Sequence, residues 1–172
     1  MGKVHEHIDA KLAEWIGRQS LFFVATAPSE GGHVNVSPKG PIGTFRILDE
    51  LTVEYDDYVG SGAETIAHLL DNGRICVMFC AFDGPPRIVR LHGRGEVLAG
   101  DDPGDGVRGA IRVHVDRVSD SCGYGVPLME YLGERPQREA WVAKKGADGL
   151  RAYVAEKNAV SIDGLRALDG GS

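Results

Sequence analysis

Two long stretches of this sequence alternate apolar and polar residues, and that alternation restricts the fold more than any other feature. In Arg87–Leu98 (RIVRLHGRGEVL), Val89, Leu91 and Val97 share one side, while Arg90, His92, Arg94 and Glu96 share the other. In Ala110–Asp120 (AIRVHVDRVSD), Ile111, Val113 and Val115 oppose Arg112, His114 and Asp116. A period of two puts successive side chains on opposite faces of a strand, whereas a helix repeats about every 3.6 residues. Both stretches therefore read as long strands with one face toward a core. Gly93 and Gly95 fall on the apolar face, where a bend or a close backbone approach is expected. The Gly- and Asp-rich segment 100–109 joins the two as a loop.

The remaining elements fall around this pair. LFFVATA (Leu21–Ala27) and RICVMFCAF (Arg74–Phe82) are short, apolar and β-rich, as buried strands are. Gly31-Gly32 turns the chain into HVNVS (His33–Ser37), and SPKGPIG (Ser37–Gly43) breaks that strand with two prolines and two glycines. TFRIL, a turn at Asp49-Glu50 and LTVEYDD make a further hairpin. Val4, Ile8, Leu12, Trp15 and Ile16 recur at helical spacing and predict a helix over about residues 4–18. AETIAHLLDN predicts a second helix, stopped at Asn72-Gly73. QREAWVAKKGADGLRAYVAEKN predicts helix in two pieces divided near Gly146–Gly149, and ALDGGS is expected to fray. Hairpins without βαβ alternation point to a mainly β, α+β fold: a six-stranded antiparallel barrel with flanking helices. One domain over residues 1–172 is expected, with the barrel at about 20–120 and a helical segment at about 121–168.

A net charge of -6 and a pI near 5.5 argue against nucleic acid or an anionic membrane as main partner. No apolar run nears the roughly 20 residues that span a bilayer. The first residues lack a signal peptide's apolar core, so the cytoplasm is the expected compartment. Cys76, Cys80 and Cys122 form no CxxC pair, the histidines form no HExxH, and no metal site is expected. GxSxG and Walker A motifs are absent.

Three groups of residues remain as candidates for chemistry. Asn35 and Ser37 share one face of their strand, Val34 and Val36 the other, and Lys39 follows on a proline-stiffened turn. Such a face suits hydrogen bonds to a heterocycle, with Lys39 opposing negative charge on it; a solvated edge strand is the alternative. Gly60-Ser61-Gly62-Ala63-Glu64-Thr65 lacks the third glycine of a dinucleotide fingerprint, but it opens a helix. Ser61 and Thr65 could bind phosphate there, or Ser61 could simply cap the helix. Arg87, Arg90, His92 and Arg94 could hold a phosphate or carboxylate, or pair with nearby acids.

Taken in order, LFFVAT, VNVSPKG, GSGxETIAHLxxNGRI, MFCAFxGPPRI and the GRG strand resemble the pyridoxamine 5'-phosphate oxidase-related FMN-binding split-barrel family. The likeness covers about residues 10–120. It implies a homodimer with two flavin sites, each built from both chains. The isoalloxazine would lie along Val34, Asn35, Val36 and Ser37, with Lys39 near ring or substrate. The strand with Tyr55 would line the site, Ser61 and Thr65 would hold the phosphate, and Arg87 would approach the ring. Glu64 and Thr65 stand where the oxidases carry an arginine–lysine pair, and Val34 stands near another missing arginine. The implied activity is an FMN-dependent oxidoreductase that exchanges electrons with an unidentified small-molecule substrate or a nicotinamide donor. The alternatives are a non-catalytic flavin, deazaflavin or heme binding protein and a cofactor-free dimeric scaffold.

Overall fold

The structure, a computed structural model, describes residues 2–168; of the expected frayed end, residues 169–172 lie outside it. The strands are β1 (Val4–His5), β2 (Phe22–Thr26), β3 (Asn35–Lys39), β4 (Phe45–Asp49), β5 (Thr52–Tyr58), β6 (Arg74–Cys80), β7 (Ile88–Ala99) and β8 (Val107–Ser121). Helices are α1 (Ala10–Gly17), α2 (Glu64–Asn72) and α3 (Gln137–Lys157). The sheet runs β3-β2-β6-β7-β8-β5-β4, with β1 added to β8, and every pairing is antiparallel.

The sheet thus has eight strands rather than six. One cause is the N-terminus, where helix was expected from residue 4. Val4 and His5 instead pair with Ser119 and Val118. Helix begins only after Asp9, whose carboxylate accepts the Leu12 N–H at 2.7 Å. An N-cap of this kind fixes a helix start more firmly than apolar spacing does. A second difference is β3, which runs through Pro38 to Lys39 instead of breaking at Ser37. β3 is a sheet edge, and an edge residue needs no outward N–H.

The sheet curls until its two edges approach without pairing, which makes it a split barrel. Phe45 on β4 meets Phe22 and Phe79 across the gap at ring-centroid distances of 5.1 and 5.0 Å. Inside lie Val24, Val53, Tyr55, Val77, Val89, Leu91, Ile111 and Val113, all at 0 % exposure. These are the alternate positions of their strands, as the two-residue period requires. Helix α2 packs on β2, β6 and β7 and stops at Gly73, whose φ of 72° is a left-handed helix end. After Ser121, 122–136 is irregular, α3 is interrupted at Gly146 (φ 64°, ψ 172°) where the sequence divides its two helical pieces, and 158–168 folds back onto the barrel.

Gly93 and Gly95 do mark close approaches. A Cβ on Gly93 would run into the His114 carbonyl and sit 2.9 Å from Val115 Cα; one on Gly95 would meet Leu69 at 2.7 Å. Gly93→Ala is expected to cost about 3 kcal/mol, because the obstacle is backbone that cannot step aside. Gly17→Ala, where a Cβ meets nothing within 4 Å, should instead stabilise by about 0.5 kcal/mol. Urea unfolding of both variants checks the pair.

Candidate functional site

The barrel's split is bridged by one carboxylate. Asp57 on β5 accepts from Lys39 Nζ of β3 at 3.1 Å and from Arg108 Nε of β8 at 2.7 Å. The Asp57 and Arg108 side chains are 2 % and 5 % exposed, and Lys39 is 18 %. Arg108 also donates through Nη1 to the Gly62 carbonyl at 2.9 Å. Asn158, wholly buried, donates to the Gly60 carbonyl at 2.9 Å. The glycine loop before α2 is therefore tied to both the barrel and the C-terminal segment.

Asn35, Ser37 and Lys39 face the barrel side of β3. Asn35 Nδ2 donates to Thr65 Oγ1 at 3.1 Å and Ser37 Oγ donates to Asn35 Oδ1 at 3.2 Å. Tyr55 lies behind them, with its ring centroid 5.8 Å from Lys39 Nζ. Its hydroxyl is buried with no partner among the described residues. Burial, and then the Asp57 charge, push the Tyr55 phenol well above its ordinary range. On the other face, Val34 (73 % exposed) and Val36 (61 %) look outward. Pro38, which has no N–H, lies opposite Phe23 of β2, a place that an edge strand tolerates. As the edge strand of the sheet, β3 leaves one side of its main chain without a neighbouring strand.

Of the residues expected from sequence, Asn35, Ser37, Lys39, Tyr55 and Thr65 come together. Ser61 sits on the adjoining loop, exposed, and the N-cap of α2 is Ala63 without a side-chain cap bond. Arg87 is elsewhere within the chain. It pairs with Asp120 at 2.9 Å and lies over the Trp15 ring at 5.1 Å, at the opposite end of β8 from Arg108. Sequence reasoning missed Asp57, Arg108, Asn158 and His68. His68 faces into α2's contact with β2, where Nδ1 meets Thr26 Oγ1 at 3.0 Å and Nε2 is buried unpartnered.

A flavin mononucleotide fits this arrangement in one part only. The free main chain of β3, apolar Val34 and Val36, and the neighbouring Lys39 suit a flat heterocycle with donors and acceptors on its edge. The start of α2 does not suit a phosphate. Thr65 is 4 % exposed and already bonded to Asn35, and Lys39 and Arg108 are both engaged by Asp57. Glu64 sets a carboxylate beside Gly62 and accepts the Ile162 N–H at 3.3 Å. Among the described residues no three His, Cys, Asp or Glu side chains group to hold a metal.

An antiparallel split barrel with a polar cluster at its open edge defines a class of β-barrel proteins. Residues 8–122 match the family model described as pyridoxamine 5'-phosphate oxidase. The chain is also 44% identical, over 193 aligned positions, to the pyridoxamine 5'-phosphate oxidase family protein ustO of Aspergillus flavus, covering 95% of this chain and 77% of that protein. This chain belongs to the pyridoxamine 5'-phosphate oxidase family. In fold it is similar to a conserved hypothetical protein of Mycobacterium tuberculosis, with TM-score 0.50 and 14% identity, covering 73% of this chain and 92% of that one. A FAD-binding protein of Mesorhizobium loti aligns with TM-score 0.46 and 15% identity, covering 70% of this chain and 96% of that one.

Two outcomes follow from the buried polar groups. Asp57→Asn should destabilise by about 3–5 kcal/mol, because it strands a buried guanidinium. Lys39→Met should cost about 1 kcal/mol, since Asp57 keeps Arg108; chemical denaturation gives both numbers. Burial lowers the His68 pKa below 6.5, against the opposing pull of Asp163, Glu64 and Asp71. Below that value the unfolded chain binds the proton first, so stability contributed by neutral His68 is complete above pH 6.5 and is lost as pH falls through the folded pKa. Stability curves of the parent chain and His68→Leu should diverge in slope over that window.

Proposed function

We propose that this chain is a flavin-dependent oxidoreductase of the pyridoxamine 5'-phosphate oxidase family, acting as a homodimer on a small molecule. The observation that carries the reading is the β3 edge. One side of its main chain has no neighbouring strand, it lies beside exposed, apolar Val34 and Val36, and Lys39 ends the strand. A flavin bound there supplies two-electron redox chemistry. The chain's own part is to orient the ring by main-chain hydrogen bonds and to place the Lys39 ammonium near negative charge on it. Asp57 holds that ammonium at 3.1 Å, so its direction is set before any ligand arrives, and a preset charge costs little to reorganise.

Room for a substrate lies next to the end of β3. A cavity of about 500 Å³ is lined by Leu21, Gly40, Pro41, Phe82, Met129 and Tyr131, with Arg135 and Arg138 at its side. Its walls are largely apolar, and Glu130, Glu134 and Glu139 join the two arginines at the rim, so polar groups are at hand to orient a small molecule. The nicotinamide donor or substrate of the reading belongs in this space.

Dimerisation is supported by apolar side chains left outside. Tyr124, Leu128 and Leu132 are 82 %, 80 % and 89 % exposed, and Val34, Val36 and Ile42 add to them. Tyr124, Leu128 and Leu132 fall within one nine-residue segment, and a contiguous apolar surface favours association over exposure to water.

The absorbance spectrum of the purified chain, before and after adding flavin and desalting, tests the reading. Flavin bands that survive desalting, bleached by NADH or NADPH, are the expected result. Retained bands that no reductant bleaches would favour a carrier, and a colourless protein after both steps would favour a scaffold without cofactor. Lys39→Ala should weaken flavin binding about tenfold, as the loss of a charge-assisted contact does. Light scattering should give twice 18.5 kDa.

A further inference from the structure

We propose that the start of α2 in this chain is closed to phosphate by the chain itself, and that flavin is selected by its ring and sugar chain alone. The ligand class is then a flavin whose phosphate earns nothing, with riboflavin bound as well as its phosphate ester. The selection rests on the flavin reading above; the closure does not.

Four observations at one place carry it. First, the anion position is taken: Glu64, the first residue of α2, lies with its carboxylate beside Gly62 and bonded to Ile162 N–H. A carboxylate at a helix N-terminus satisfies the same partial positive charge that attracts a phosphate. Second, of the two hydroxyls at the helix start, that of Thr65 is turned in and only that of Ser61 faces water. Thr65 is 4 % exposed and its Oγ1 accepts from Asn35.

Third, the two cations beside this loop are already paired. Lys39 and Arg108 both bind Asp57, and Glu64 adds a second negative charge, so the four formal charges cancel. A phosphate monoester brings a charge of about -1.5 to -2 at pH 7 and would meet a neutral neighbourhood with a carboxylate already in it. Fourth, the segment 158–168 lies over the position. Asn158 is 0 % and Ser161 5 % exposed, Asn158 ties down the Gly60 and Gly62 carbonyls, and Asp163 anchors His33 at 2.8 Å through its N–H and 2.7 Å through Nδ1. The donors of Asn158 being spent on carbonyls, its Oδ1 remains buried without a donor, and an acceptor adds nothing for an anion.

Two titrations of the full chain decide the matter. In the first, fluorescence quenching follows riboflavin and flavin mononucleotide separately at low salt. Dissociation constants within about threefold of one another are expected, and a mononucleotide preference of thirtyfold or more, about 2 kcal/mol, overturns the selection. In the second, backbone amide resonances of residues 61–66 are followed while inorganic phosphate is added to millimolar level. Unmoved amides uphold the closure, and saturable shifts confined to them overturn it. Should neither flavin bind, the flavin reading and the selection built on it fail together, while the phosphate titration still decides the closure.

Discussion

The Asp57 carboxylate is the point on which the open side of this barrel depends. Elsewhere the strands hold one another by continuous hydrogen bonding, but β3 and β4 meet without a ladder. At that gap a buried acid is shared by a lysine from one edge and an arginine from β8. Neither cation could be nine-tenths or nearly so buried without it, since an unpaired buried charge is among the most costly things a fold can contain. Through Arg108 the same acid reaches the Gly62 carbonyl, and so sets the loop that starts α2. The edge strand, the helix start and the returning C-terminal segment are thereby tied to one another.

This coupling explains why the candidate site is polar yet shut. Its side chains satisfy one another: Asn35 with Thr65 and Ser37, Lys39 and Arg108 with Asp57, Glu64 with Ile162. What remains open is the outer rim of β3 and the apolar cavity by Gly40 and Pro41. Behind that rim, the internal network is a rigid backing. Preset groups of this kind lower the cost of binding, because little ordering is left to do.

Much of the barrel could be read from periodicity, and its failures have local causes. The inward positions of β7 and β8 followed from alternation up to Val115. Beyond it, a bulge at Asp116 shifts the phase so that Val118 turns inside. Arg108 escaped notice for the same reason. The pairing of β5 with β8 slips between Asp57 and Tyr58, and the slip turns Arg108 inward from what reads as a Gly-rich loop. A bulge has no signature in alternating polarity, because it breaks that pattern. Asn35, Ser37, Lys39 and Thr65 were legible because they are polar residues in an otherwise apolar setting. Asn158 lies 93 residues beyond Thr65 in sequence, and only the return of the chain after α3 brings it there.

Pro38 has a consequence for the molecule among its copies. A sheet edge with unfilled main-chain groups is a template on which further strands add, and repeated addition ends in fibres. β3 is such an edge, and its neighbours Val34 and Val36 are apolar and exposed. A strand laid along it would need a donor at position 38 and would find a ring carbon. The proline thus denies an incoming chain the register it needs, which keeps a sticky edge from becoming a growing one.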